Sequence, residues 1–470
     1  MYKLTKIVAT ISDRKCDVDF IKTLYNEGMN VVRLNTAHQN FDDSLHVIKN
    51  VRAVSDKIAL LLDTKGPEIR TTKVAEEITV ETGDIIKFSG NKDKESTRDV
   101  VCVNYNGFVA DVPVNSLILI DDGEIELKVI DKDNEFLICQ VENSGKIESN
   151  KSINIPNVHI NLPSLSEKDR KYVKFAIEHD LDFIAHSFVR NKEDVLAIQK
   201  ILDEHNSKIK IIAKIENQAG IDNIDEILEH AFGIMIARGD LAIEVPREKI
   251  PFIQKNLIKK CAERRKPVIV ATQMLHSMIK NPRPTRAEVT DIATAIFEGT
   301  DAIMLSGETA YGDYPVEAVQ TMTKIALEVE KDKEPFWDTG YSVLTNDISA
   351  YLSKVAVKSS IRMNAKAIIA DTTTGRTVRN ITGFRGNVIV YAMTYNARAM
   401  RELALSYGVY AQQIELQKDT DTFLHYSASK LVNDGYIKRN DRIIFLAGNF
   451  GRNRGANFVQ ILEADEIIKH

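Results

Sequence analysis

Lys214 and Glu216 stand two residues apart in "IIAKIENQAG", where Ile211, Ile212 and Ile215 read as a parallel strand covered on both faces. Side chains alternate along a strand, so both charges point to one face, with Cα atoms roughly 6–7 Å apart. Buried charge is costly unless it is partnered. Two readings fit: an internal ion pair, and a fixed cation beside a metal-binding carboxylate. Asp240 closes the next strand-like run, "GIMIARGD", so its carboxylate can converge with that of Glu216. Oxygen-only donors favour Mg2+ or Mn2+ over zinc, the alternative being a salt bridge to Arg238 inside the fold. Arg33 and Arg70 each offer a planar fork of donors to a phosphate. A fixed cation, a divalent metal and two forks together describe phosphoryl transfer, where catalysis is mainly positioning and charge neutralisation.

These residues need a scaffold that brings distant strand ends together. Eight short apolar runs, "KIVAT", "VVRLN", "IALLLDTK", "DFIAHSF", "KIIAKIE", "GIMIARGD", "PVIVATQ" and "DAIMLS", alternate with helical stretches such as 189–205, 246–264 and 314–331. That pattern predicts an α/β fold, a (β/α)8 TIM barrel whose chemistry lies at the carboxyl ends of the strands. Polar residues fall at seven of those ends: Arg33 and Asn35, Asp63 to Lys65, Ser187, Lys214 and Glu216, Arg238 and Asp240, Thr272 and Gln273, Ser306 and Glu308. Each alone reads as a cap or a solvated rim residue; the set does not. Between the third and fourth runs, residues 71–167 turn β-rich with no good helix, too long for a bare loop, and predict an inserted β-barrel lid domain. The lid joins the barrel near Arg70 and again near Pro163 and should move as a body. The remaining divisions are 1–70 and 168–340 for the barrel and 341–470 for a C-terminal α/β domain, with strands in "AKAIIADT", "NVIVYAMT", "RIIFLAG" and "FVQILEA".

The 470 residues are 44% hydrophobic and 27% charged with a formal net charge of −5, enough for several cores and without the basic footprint of a nucleic-acid or anionic-membrane binder. The longest apolar run, "VIVYAM", is far too short to span a bilayer, and the opening "MYKLTKIVAT" runs straight into a strand, so a cytoplasmic location is expected. Cys16, Cys102, Cys139 and Cys261 form no CxxC pair and read as packing residues in a reducing compartment.

The ordered series "VVRLNTAH", "LLDTKGPEIRT", "SINIPN", "INLPSLSEKD", "IIAKIEN", "IMIARGDLAIEVP", "PVIVATQML", "RPTRAE" and "IMLSGETAYGDYPVEAV" resembles the pyruvate kinase family over essentially the whole chain. The start without an N-terminal extension is similar to bacterial members. The resemblance implies a barrel, a lid after its third strand and a C-terminal effector-type domain. The implied reaction moves the phosphoryl group of phosphoenolpyruvate to ADP, giving pyruvate and ATP, the last step of glycolysis, in a homotetramer. By motif, Arg33 holds a substrate phosphate, Lys214 contacts the transferring group, and Glu216 and Asp240 bind Mg2+ or Mn2+. Gly239, Asp240 and Thr272 touch substrate, with Thr272 over the methylene carbon. Asn35, His38, Arg70 and Lys151 are implied nucleotide contacts, and Asn35, Asp63 and Thr64 ligands of K+. The family's serine ligand is Ala37 here, whereas Glu68 matches potassium-dependent members. Gln39, Asn157 and Ala242 replace usual glycines. "TTTGRTVRN" resembles the effector phosphate loop, with Thr372, Thr374, Gly375, Arg376 and Thr377 as contacts and Arg452 and Arg454 as partners; a plain strand-to-helix turn is the alternative. Two other functions stay open: a metal-dependent barrel lyase acting on pyruvate enolate, and a catalytically weak regulatory homologue, suggested by Ala37.

Overall fold

The computed structural model describes residues 2–158, 160–333, 347–448 and 455–469. Eight parallel strands close into a barrel: Lys6–Thr10, Val31–Asn35, Ala59–Asp63, Phe183–His186, Lys210–Ile215, Gly233–Ala237, Val268–Ala271 and Ala302–Leu305. The first strand pairs with both the second and the eighth, which completes the ring. Alternation sorts the strand residues into two cores. Val8, Val31, Leu61, Ala185, Ile212, Met235 and Ile269 fill the interior, while Ile7, Val32, Leu60, Leu62, Ile184, Ile211 and Ile215 pack under the helices. Parity then dictates that Thr10, Arg33, Asp63, Lys214 and Glu216 face inward at the carboxyl ends, because they continue the interior set.

The helices begin where short polar side chains cap them. Asn40 with Asp43, Ser166 with Asp169, and Thr285 with Glu288 form reciprocal capping boxes at the starts of Phe41–Val54, Glu167–Glu178 and Arg286–Phe297. The helices expected at 189–205, 246–264 and 314–331 are Lys192–Glu204, Ile250–Glu263 and Pro315–Asp332.

The inserted segment is a seven-stranded sheet with a separate two-stranded ribbon, and it carries the short helix Phe108–Asp111. The sheet curls until its two ends meet in the bridge between Thr71 and Val103. Its entry strand Ile69–Arg70 pairs antiparallel with the exit strand Ser152–Asn154, so the lid leaves and returns at one place. The C-terminal domain is a five-stranded sheet in the order Val409–Gln413, Ile389–Thr394, Ala367–Thr372, Arg442–Ala447, Phe458–Glu463, the last antiparallel. Strand Val409–Gln413 was not expected: its polar end and edge position hide the apolar pattern. This domain docks on the amino ends of the barrel strands, through Arg385 to Asp301 (2.6 Å), Arg401 to Asp182 (2.5 Å) and Lys6 Nζ to the Val409 carbonyl (2.6 Å). Among the described residues, no helix is long and apolar enough to cross a membrane.

His186, last in the fourth barrel strand, is fully buried, and neither ring nitrogen has a hydrogen-bond partner among the described residues. Burial lowers its pKa from 6.5 to about 4, against the pull of Asp194 and Asp169. The unfolded chain therefore binds this proton more readily than the fold does. The contribution is complete above pH 6.5 and is lost as pH falls towards 4, with a slope of about 1.4 kcal/mol per unit. His186→Phe should flatten that part of the stability curve in urea titrations across the window; an unchanged slope would place the proton uptake elsewhere.

Candidate active site

The floor of the site is an ion network built from consecutive inward positions. Lys214 Nζ lies 3.1 Å from Asp63 Oδ1, 3.0 Å from Glu216 Oε1 and donates to Ser187 Oγ at 2.8 Å. Arg33 Nε donates to Asp63 Oδ2 at 2.6 Å and its Nη1 to Thr10 Oγ1 at 3.0 Å. The second terminal nitrogen of Arg33 has no protein partner among the described residues. Asp63 is thus the anchor that orients both cations, a role the sequence did not suggest, and Thr10 supplies a polar group from the one strand end that had lacked one.

The electrostatics are lopsided. Burial opposes charge on Lys214, but Asp63 and Glu216 outweigh it and raise its pKa, so the ammonium is permanent. Burial also opposes charge on Asp63, where Lys214 and Arg33 win and hold the carboxyl below its usual range. At Glu216 burial prevails: despite Lys214, with Asp240 adding repulsion, its pKa rises to about 7. Asp240 is raised for the same reason, burial first. The cluster holds three carboxylates against two cations, and the two least stabilised carboxylates are the pair facing each other.

That pair fits a divalent cation. Its donors are hard oxygens, their charge is under-compensated, and Glu216 is fixed by the Phe188 N–H, which donates to Oε2 at 2.6 Å. Among the described residues no cluster of three or more His, Cys, Asp or Glu forms a ready metal cage, so substrate or water oxygens would complete the shell. The salt bridge from Asp240 or Glu216 to Arg238 is not formed. Arg238 opens the helix Arg238–Glu244 and turns aside to Asp291, at 2.6 and 2.7 Å.

Around this floor the backbone is held in sparsely populated conformations. Thr272 and Gln273 have φ of 70° and 54°, and Phe188 has φ of 55°, costly values for branched or bulky residues. Thr272 Oγ1 accepts from Gly239 N at 2.7 Å and donates to the Ala271 carbonyl at 2.7 Å, which fixes the hydroxyl beside Asp240. Buried Glu308 holds the same corner by accepting from Leu275 N and Ser306 N. Gly66 is needed where it stands: a Cβ there would meet the Phe188 ring at 2.8 Å.

Between lid and barrel lies a cleft of about 690 Å³ that brings Arg70 and Lys151 over Asp240. Lys151 is paired with Asp121 (2.5 Å) and Glu148 (3.0 Å), and its pKa is raised, first by the Asp121 hydrogen bond. Arg70 pairs with Glu68 at 2.7 Å, and Lys65 lies 3.4 Å from the same carboxylate. Asn35 is in register with Asp63, with Thr64 next in chain; its Oδ1 accepts the Ala37 N–H at 3.1 Å, and the Thr64 carbonyl accepts from Ser187 Oγ at 2.6 Å. His38 is exposed on the loop that follows. Of the glycine replacements, Asn157 keeps a left-handed φ of 62°, and Gln39 instead reaches back to the Ile11 carbonyl at 3.0 Å.

The loop 372–377 lies in the C-terminal sheet domain, away from this site. Gly375, at φ 78°, precedes the helix Arg376–Thr382, its N–H is taken by Thr372 Oγ1 at 2.9 Å, and Arg376 pairs with Asp347. Thr374 is exposed and Thr377 buried. Arg452 and Arg454 lie outside the described residues.

A closed parallel barrel, a sheet domain over its carboxyl rim and a buried lysine–carboxylate floor define a lidded (β/α)8 barrel enzyme. Family models described as "Pyruvate kinase, barrel domain" and "Pyruvate kinase, alpha/beta domain" match residues 2–319 and 351–462. A pyruvate kinase of Borreliella burgdorferi is 48% identical over 99% of this chain and 98% of its own, and one of Bacillus licheniformis 43% over 99% and 81%. The crystal structure of a pyruvate kinase from Cryptosporidium parvum superposes with a TM-score of 0.93 at 33% identity, covering 98% of this chain and 96% of that one. The chain belongs to the pyruvate kinase family.

Proposed function

We propose that the cleft moves the phosphoryl group of phosphoenolpyruvate to ADP, producing pyruvate and ATP. The observation that carries the site assignment is Lys214, a buried ammonium suspended between Asp63 and Glu216 on a rigid barrel floor. Arg33, with one terminal nitrogen uncommitted, binds the substrate phosphate, and Lys214 meets the group in flight. As the P–O bond breaks, its electron pair passes to the enolate oxygen while an ADP oxygen bonds to phosphorus. Thr272, beside Gly239 and Asp240, faces the methylene carbon that then takes a proton. Glu216 and Asp240 would hold Mg2+ or Mn2+, which when bound neutralises phosphoryl oxygens. Arg70 and Lys151 on the lid, with Asn35 and His38 on the rim, hold the nucleotide. A coupled assay of ADP-dependent pyruvate formation tests the whole reading, and pyruvate formation indifferent to ADP would favour a lyase instead. The lyase has no observation of its own in its favour, and Ala37, which suggests a weak regulatory homologue, is outweighed by the intact set Lys214, Glu216, Asp240 and Thr272.

Asn35, Asp63 and the Thr64 carbonyl would hold K+. The charge of Glu68 is met by Arg70 and Lys65, which both face it. The case for K+ therefore rests on the three oxygens, each also engaged by a protein donor, with a methyl at Ala37. Activity should be K+-stimulated, and Ala37→Ser should tighten the apparent affinity about fivefold, the worth of one polar contact. Titrating KCl against tetramethylammonium chloride at constant ionic strength measures both, and a wild type indifferent to K+ would sink the assignment.

The assembly is a homotetramer in this reading. Exposed Phe252 and Phe297 on the barrel helices, and Ile348, Tyr351 and edge-strand Ile461 on the C-terminal domain, supply two apolar faces for partner copies. Light scattering showing only monomer under assay conditions would refute it. The loop 372–377 is read as a place for an anionic effector, to be tested by phosphate protection of its amides in hydrogen exchange; no protection would leave it a plain turn.

A further inference from the structure

We infer that Arg190 is a positioning residue for the reaction, the clamp that sets the lid's hinge and ties it to the metal-facing loop. The inference rests on the lid being the nucleotide's cover.

Arg190 follows the fourth barrel strand. Its guanidinium is bound at both ends. On the barrel side Nε donates to Asp194 Oδ2 at 3.0 Å and Nη2 to Asp194 Oδ1 at 3.1 Å, a two-pronged ion pair with the first turn of helix Lys192–Glu204. On the lid side Nη1 donates to the Ile160 carbonyl at 3.1 Å and Nη2 to the Leu162 carbonyl at 3.1 Å. Those carbonyls belong to the segment by which the chain returns from the lid, just before Pro163. The Arg190 backbone is held as well, its N–H by Asp194 at 2.9 Å and its carbonyl by Asn223 at 2.9 Å. One planar fork therefore ties two peptide groups of the hinge, two residues apart, to the barrel helix Lys192–Glu204.

The same short loop runs through the catalytic floor. Ser187 receives Lys214, and Phe188, strained at φ 55°, gives its N–H to Glu216. Arg190 stands two residues further on. A shift of the lid's return segment pulls on Arg190, and only Val189 separates Arg190 from the residue that orients Glu216. Lysine cannot replace this arrangement, because an ammonium cannot span a carboxylate and two carbonyls in one plane.

The expected result is a split in the kinetic constants. In Arg190→Gln the KM for ADP should rise about tenfold, the change for one charge-assisted hydrogen bond lost from the closed state, and kcat should fall. Affinity for phosphoenolpyruvate with Mg2+ but no nucleotide, measured by calorimetry, should stay near wild type. Arg190→Lys should recover only part of the loss. Spin labels at Glu124→Cys on the lid and Lys200→Cys on the barrel report the hinge directly, since the four native cysteines are buried. Wild type should narrow to a short distance when ADP and Mg2+ are added, and Arg190→Gln should stay broad. If the variant closes as wild type does, or if phosphoenolpyruvate affinity and melting temperature fall together with ADP affinity, the clamp is refuted. A wild type that does not close on ADP would instead refute the lid reading, and the clamp with it.

Discussion

Lys214→Met should reduce kcat by about 10²–10³ or more while metal-dependent binding of phosphoenolpyruvate persists. The ammonium is the one cation on the floor that touches two carboxylates at once, and its charge is needed most when negative charge moves between oxygens. Methionine fills much of the volume but leaves Asp63 and Glu216 facing each other without it. Breaking a buried pair costs about 3–5 kcal/mol, because the charges left behind lose their partner. Glu216 loses its cation and Asp63 keeps only Arg33, so both folded pKa values rise, and their stability contribution holds at low pH and is lost as pH rises. The melting temperature of the variant should thus fall further behind wild type from pH 5 to about 8. Lys214→Arg, which keeps the charge, should restore stability more than turnover. A Lys214→Met enzyme with near wild-type kcat would show that the reacting group lies elsewhere.

Glu216→Gln should have the opposite signature. It removes one of three carboxylates from a cluster with two cations, and the amide oxygen can still accept the Phe188 N–H. Folding stability should be unchanged or slightly higher. The Mg2+ requirement, however, should rise about 100-fold or more, since even outer neighbours of a metal commonly cost ~10–100-fold in affinity. Chelator should stop the wild type, and added Mg2+ should restore it. Full turnover in excess chelator would remove the metal from the account.

The barrel was legible because parallel strands buried on both faces leave continuous apolar runs, and the lid because its alternation differs from theirs. What escaped were features that depend on neighbours rather than on local pattern. The strand Val409–Gln413 is an edge strand with Gln412 and Gln413 at its end, so no run announces it. The inward direction of Lys214 and Glu216 follows from parity and was readable. Asp63 was read as a cation ligand, yet its oxygens are the hub between Arg33 and Lys214, which only the register of three strands discloses. Arg238, counted among the strand-end polar residues, lies one position past its strand and starts a helix, which aims it at Asp291. Arg190 carries no motif at all; its role arises from two carbonyls about thirty positions earlier in the chain.

The pairing of the first barrel strand with the eighth also governs how the chain is made. During synthesis Lys6–Thr10 waits with one edge unpaired until Ala302–Leu305 has left the ribosome, so the ring is a late event of high contact order. The third and fourth strands, by contrast, need not wait as a long open loop. Once the lid's entry and exit strands are zipped, with Arg70 Nη1 on the Asn150 carbonyl 80 positions away, the ends of that loop are already adjacent. Closing it then costs the entropy of a short connection rather than of a whole domain. The cover of the active site is in this sense also a staple, applied halfway through the barrel before the barrel can shut.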